Sequence, residues 1–304
     1  MTGISTTAFY ERSRIDMTKL RVEMEKYQGQ LASGERLERS SDDPVAASRL
    51  RTLARDGKLA EVDIAKKDRA VTDLQLADEA VRSIGDLAIK LRELSVQAAN
   101  DALSDVQRKA IGLEVDAIHT QLVSLANSKD IGGHALFGGE VTGDAYQVGG
   151  GGYATYIGTA VSGEIDLGGG QAVTRSITGP EIFNVTVGGT PTDLLTVAKD
   201  LAIALGGGSA DPAQSARDAL GGITAAIDNV STNQTVLGSR LVWLDFVADR
   251  STNLGELRAA EENATGGADI GETMTRLQEA MVVLQGSQAA FTKLSSLSLF
   301  DQLR

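Results

Sequence analysis

Two carboxylates stand side by side at Asp42 and Asp43, and His119 and His134 are the only histidines in 304 residues. Any acid/base or metal chemistry would have to start from such groups. Neighbouring side chains on a helix or strand point apart, so Asp42 and Asp43 do not converge on one metal ion or one substrate proton. Asp followed by Pro44 is instead a helix start: the carboxylate accepts from free backbone amides, and the proline fits the first helical position. Neither histidine has a partner at the spacing of a zinc-binding helix such as H-E-x-x-H. His119 reads as a solvated helix position and His134, in "GGHALFGG", as a turn residue.

Other chemistries find equally little support. There is no G-x-x-x-x-G-K-[ST] loop, and "GGGGYATYIG" opens no helix after an apolar strand, so its glycines serve turns rather than a phosphate. "GGEVTGDAYQVGGGG" is one imperfect copy of a glycine/aspartate calcium pattern, without the repeat that gives such a pattern meaning. The absence of cysteine excludes disulfides, thiolate metal sites and a cysteine nucleophile. Asn184, Asn229, Asn233 and Asn263 each begin an N-x-[ST] triplet, a pattern that chance supplies often. A glycan-acting or proteolytic site hidden in residues 138–192 would need convergent catalytic residue types that this stretch lacks. The expectation is a non-enzyme with no cofactor and no bound metal.

Charge narrows the partners. A net charge of −12 and a pI near 4.7 argue against nucleic acid, whose binding rests on Lys and Arg displacing counterions. No apolar run approaches the ~20 residues that span a bilayer, so no membrane insertion is expected. "MTGISTTAFYERSRID" lacks a basic segment followed by an apolar one, which implies export, if any, without a cleaved signal peptide.

The elements that remain are long helices. Proline occurs only at 44, 180, 191 and 212, which leaves both chain ends free of the strongest helix breaker. Met17, Leu20, Met24, Tyr27 and Leu31 are spaced as a heptad seam, and Ile270, Met274, Leu277, Met281 and Leu284, followed by Phe291 and Leu294, form a second. The two ends are expected to pair as a coiled coil. Terminal seams usually wait for a partner, so these are expected to order on assembly. Ile84, Leu87, Leu91, Leu94 and Ala98 mark a helix of roughly 55 residues, on the order of 80 Å. After the break at "NDALSD", Ser104 or Asp105 caps the next helix, seamed by Ile111, Val115, Ile118, Leu122 and Leu125. Asp211 and Pro212 start another, seamed from Leu220 to Leu244.

Of 34 glycines, 20 fall between Gly132 and Gly208. There "AYQV", "YATYI", "EIDLG", "AVTRSIT" and "IFNVTV" read as short strands between glycine turns, before "TDLLTVAKDLAIAL" returns to helix. The expected architecture is mainly α with a small antiparallel β unit inserted. Residues 1–40 with 256–304 would form a terminal coiled-coil domain, 41–137 with 193–255 a helical rod, and 138–192 a glycine-rich β domain.

"LASGERLERSSDDPVAAS" (31–48), "NDALSDVQRKAIGLEVDAIHTQLVSLANSKDIGGHALFGG" (100–139) and "LSSLSLFDQLR" (294–304) resemble the flagellin family. The Asp42-Asp43-Pro44 triplet and the ending "SLSLFDQL" are similar to its hook-filament junction members rather than to filament flagellin. The resemblance implies a structural subunit exported unfolded through the flagellar type III apparatus with an export chaperone. It would assemble with copies of itself as a ring between the first hook-associated protein and flagellin. A short filament flagellin is the alternative. In the spoke so defined, Gly34 would end the first helix in a left-handed conformation, Ser40, Asp42 and Asp43 would cap the second, and Pro44 would begin it.

Overall fold

The computed structural model describes residues 3–301. Helices α1 (Gly3–Ser33), α2 (Pro44–Ala98), α3 (Asp105–Ala126), α4 (Gly179–Phe183), α5 (Leu194–Ile203), α6 (Pro212–Gly266) and α7 (Ile270–Asp301) account for most of the chain. Strands β1 (Tyr146–Val148), β2 (Ala154–Tyr156), β3 (Glu164–Gly168), β4 (Gln171–Thr174), β5 (Asn184–Val187) and β6 (Thr190–Asp193) lie between α3 and α5. Contacts divide the chain into one unit of residues 1–59 with 252–304 and another of residues 60–251.

In the 60–251 unit, Ala70, Leu74, Ala77, Val81, Ile84, Ala88 and Leu91 of α2 are buried at alternating steps of four and three residues. Val115 and Leu122 of α3 and Ile223, Val230 and Leu237 of α6 join the same core. Small residues bring the helices close: a Cβ on Gly85 would meet Val230 at 3.2 Å, and one on Gly112 would meet Leu205 at 3.0 Å. Helix starts follow the caps in the sequence. Ser104 accepts from the Gln107 amide while the Gln107 side chain accepts from the Ser104 amide, a reciprocal box. Asp211 Oδ1 accepts from the Gln214 amide at 2.9 Å, with Pro212 at the first helical position.

The β unit is three separate antiparallel hairpins, β1–β2, β3–β4 and β5–β6, rather than one sheet. Two expectations are corrected here. Ile182 and Phe183 close α4 instead of opening a strand. Residues 190–193, expected to turn helical from Thr192, pair as β6 with β5. The cause is the Gly188-Gly189 turn, whose φ values of +58° and +85° reverse the chain tightly, while Pro191 sits in a strand with only one hydrogen-bonded neighbour. Asp193 then caps α5, accepting from the Thr196 amide at 2.9 Å.

Asparagine amides tie the hairpins to the helices. Asn127, at the end of α3, donates to the Tyr146 carbonyl at 2.9 Å and accepts from the Tyr146 amide at 2.8 Å, imitating a strand neighbour. Asn233 of α6 donates to the Glu181 carbonyl at 2.8 Å, and Asn229 donates to Ile182 at 2.9 Å. Asn229 also donates to the Glu181 carbonyl, at 2.8 Å, so it is the Asn229→Ala, Asn233→Ala double variant that leaves the end of α4 without a donor and is expected to destabilise this unit by about 1–3 kcal/mol. A urea midpoint unchanged within error would show that the clamp contributes nothing. His119 is another correction: it is buried on α3, not solvated, because it faces the side on which α5 packs. His134 lies in the turn after α3, its amide and ring both directed at Asp130.

Candidate functional site

Helices α1 and α7 pack against each other along their lengths. On α1 the half-buried residues Met17, Leu20, Met24, Tyr27 and Leu31 keep the heptad spacing, and Tyr10 continues it toward the N-terminus. On α7 the covered positions are Thr273, Leu277, Ala280, Leu284, Ser287 and Phe291, again at steps of four and three. Tyr10 and Phe291 meet edge to face with ring centroids 5.3 Å apart, and Tyr27 hydrogen-bonds Arg276.

The α7 seam thus differs from its sequence reading. Leu277, Leu284 and Phe291 face α1, but Met274 and Met281 are 49% and 40% exposed, and Ile270 is exposed beside them. Thr273, Ala280 and Ser287 take the places assigned to these larger residues. A close helix pair favours small side chains at part of its contact, and hydrophobicity alone gave the methionines more weight than their position warrants. The Leu294 side chain lies outside the described residues. Ile270, Met274 and Met281 are exposed apolar residues on one side of α7, Val282 and Val283 are exposed on other sides of it, and Ile15 and Val22 are exposed on α1.

At one end of this pair lies the 34–43 stretch. Gly34 adopts φ +72°, as the helix-ending role requires, and its amide donates back to the Gln30 carbonyl at 2.8 Å. The chain then pairs with the α6–α7 connection. The Arg36 amide donates to the Gly266 carbonyl at 2.7 Å, and the Ala268 amide donates to the Gly34 carbonyl at 2.8 Å. Arg36 donates from its guanidinium to Asp43 at 3.2 Å and to the Thr265 carbonyl at 3.0 Å. Gln30, buried, donates to the Arg36 carbonyl at 2.7 Å.

The two aspartates divide their work. Asp43 is the N-cap of α2, accepting from the Ala46 amide at 3.0 Å, with Pro44 next in the chain as the first helical residue. Asp42 accepts from the Arg39 amide at 3.0 Å and closes the turn before it. Ser40 is exposed and makes neither bond. Across the gap, Asp269 caps α7 through the Glu272 amide at 3.0 Å. Its D-x-x-E spacing is a readable start signal; Arg36, which joins the two connections, carries none.

The Ala46 amide and the Arg36 guanidinium hold the Asp43 carboxyl below its ordinary value of 3.8. The stabilisation is therefore present above that value and fades as pH falls through the lower folded-state value. Asp43→Ala is expected to lower the thermal midpoint of the terminal unit at pH 7 and to make little difference in strong acid. Gly34→Val, which forces a β-branched residue to positive φ, is expected to cost at least about 1–2 kcal/mol. Equal midpoints for both variants and the parent chain at pH 7 would remove the cap and the turn from the argument.

Among the described residues no group of three or more His, Asp or Glu is placed to hold a metal ion, and no helix is long and apolar enough to cross a membrane. The terminal unit consists of paired long helices with exposed apolar side chains. Residues 4–142 match the family described as bacterial flagellin N-terminal helical region. Flagellar hook-associated protein 3 of Escherichia coli K12 is 25% identical, over 98% of both chains. The protein of the same name from Salmonella typhimurium LT2 is 26% identical, again over 98% of both. A crystal structure of flagellar hook-associated protein 3 from Legionella pneumophila shares the fold, with a TM-score of 0.62 at 15% identity over 69% of this chain and 97% of that one. The likeness carried by residues 31–48 and 100–139 thus extends to the whole chain, which is similar throughout to flagellar hook-associated protein 3.

Proposed function

We propose that this chain is a structural subunit of the bacterial flagellum that joins the hook to the filament. The observation that carries the reading is end-to-end similarity to two hook-associated proteins, including both terminal helices. The geometry supports it: α1 and α7 cover one side of each other, yet Met274, Met281 and Val282 still face outward. Apolar surface of this kind on a helix favours further helical partners. In this reading those partners are copies of the same chain, arranged as a ring, with the first hook-associated protein on one side and flagellin on the other. An export chaperone shields the terminal seams before assembly, and the chain reaches the cell exterior.

Deleting the gene tests the reading. Bare hooks with abundant flagellin in the medium are the expected result. Loss of flagellin from both cells and medium would make this chain the filament subunit instead, and unchanged filaments would remove it from the junction.

A further inference from the structure

His119 is 4% exposed, and its Nε2 has no hydrogen-bond partner among the described residues. It lies on α3 three residues from Asp116, whose Oδ1 is 2.8 Å from Lys199 Nζ of α5. That ion pair is itself part of a larger contact. Gly152, at φ +80° in the turn between β1 and β2, lies so close to the Lys199 stem that a Cβ there would fall 2.6 Å from its Cε. Beside it, the Tyr153 hydroxyl donates to Asp200 of α5 at 2.7 Å. The hairpin tip is thereby seated on α5, and α5 on α3, and the charges of Lys199 and Asp116 act on the buried imidazole.

We propose that His119 makes this point an acid-sensitive latch, which holds α5 and the β1–β2 hairpin on α3 while its ring is neutral and releases them when the ring takes up a proton. The ionisable groups acting on the ring are Lys199 on α5, Asp116 on its own helix and Asp193 at the start of α5. A protonated His119 places a second, desolvated cation beside Lys199, and the two compete for Asp116. An imidazolium without water or a partner is costly, so the contact opens to admit water.

Burial first, and Lys199 second, hold the histidine below its ordinary value of 6.5. The opened form binds the proton more readily than the closed one. The latch is therefore at full strength above about 6.5 and weakens as pH falls from there through the closed-state value.

The test uses the full chain. NMR titration of the His119 ring is combined with amide exchange over residues 149–157 and 194–203 at pH 7.5 and 5, corrected for intrinsic rates. Titration below 6.5 is expected, with protection of both segments falling about tenfold for each pH unit between about 6.5 and the closed-state value and levelling off below it. In His119→Gln the protection should not change with pH. Lys199→Met should move the ring's titration upward, which keeps the proposal testable if His119→Gln does not fold. Titration at or above 6.5, no movement in Lys199→Met, or the same acid loss in His119→Gln would each overturn the latch.

Discussion

Leu284→Asp should leave cells with bare hooks and flagellin in the medium. Leu284 is 9% exposed on the face of α7 that meets α1. A carboxylate there loses its water and finds no cation in a seam of Met17, Leu20, Met24, Tyr27 and Leu31, at a cost of several kcal/mol. Total stabilities are only about 5–15 kcal/mol, and one pair of helices holds a fraction of that, so the pairing should be lost.

Met281→Asp separates pairing from assembly. At 40% exposure Met281 can become aspartate while α7 stays on α1, so circular dichroism and the thermal midpoint should match the parent chain. Incorporation should still fail, because the charge enters the surface that neighbouring copies would cover. Normal filaments with Leu284→Asp would remove the α1–α7 seam from the mechanism. Normal filaments with a Met274→Asp, Met281→Asp double variant would remove the outward surface.

Phe183→Ala should produce the largest loss within the 60–251 unit. The ring is fully buried at the end of α4 and meets Tyr146 edge to face, with centroids 5.5 Å apart. Truncating a buried phenylalanine costs about 3–5 kcal/mol, through lost transfer energy and the cavity left behind. Tyr146 adds to the effect. Burial keeps its phenol neutral well beyond the ordinary range, and a Cβ on Gly179 would fall 2.5 Å from its ring, so the ring has little freedom to fill the gap. Urea unfolding followed by Trp243, which packs on this core, should show a lower midpoint with an unchanged slope. A loss below about 1 kcal/mol would show that the site collapses freely.

Much of the helical frame was legible because its signals are local. The α2 heptads, the reciprocal box at Ser104 and Gln107, and the Asp-Pro starts at Asp43 and Asp211 all lie within a few residues of the elements they specify. The β unit was legible as strands and turns but not as partners. Each hairpin pairs within itself, and the first and third are tied down by an amide from a helix, Asn127 on Tyr146 and Asn229 on Asn184. An asparagine in a helix carries no mark of the carbonyl it will meet. His119 was misplaced for the same reason: one polar residue beside Ile118 reads as solvated until α5 is known to pack there.

The positions of the long helices, the length of α2 and the starts of α2, α3 and α6 came from the sequence by itself, since periodicity and caps are properties of neighbouring residues. Its motifs also carried the resemblance to the flagellin family. Which face of α7 meets α1 was decided only in three dimensions. Two heptad frames share Leu277 and Leu284, one completed by Met274 and Met281 and the other by Thr273 and Ala280, and the packing of α1 on α7 selected the frame with Thr273 and Ala280 inside and Met274 and Met281 outside.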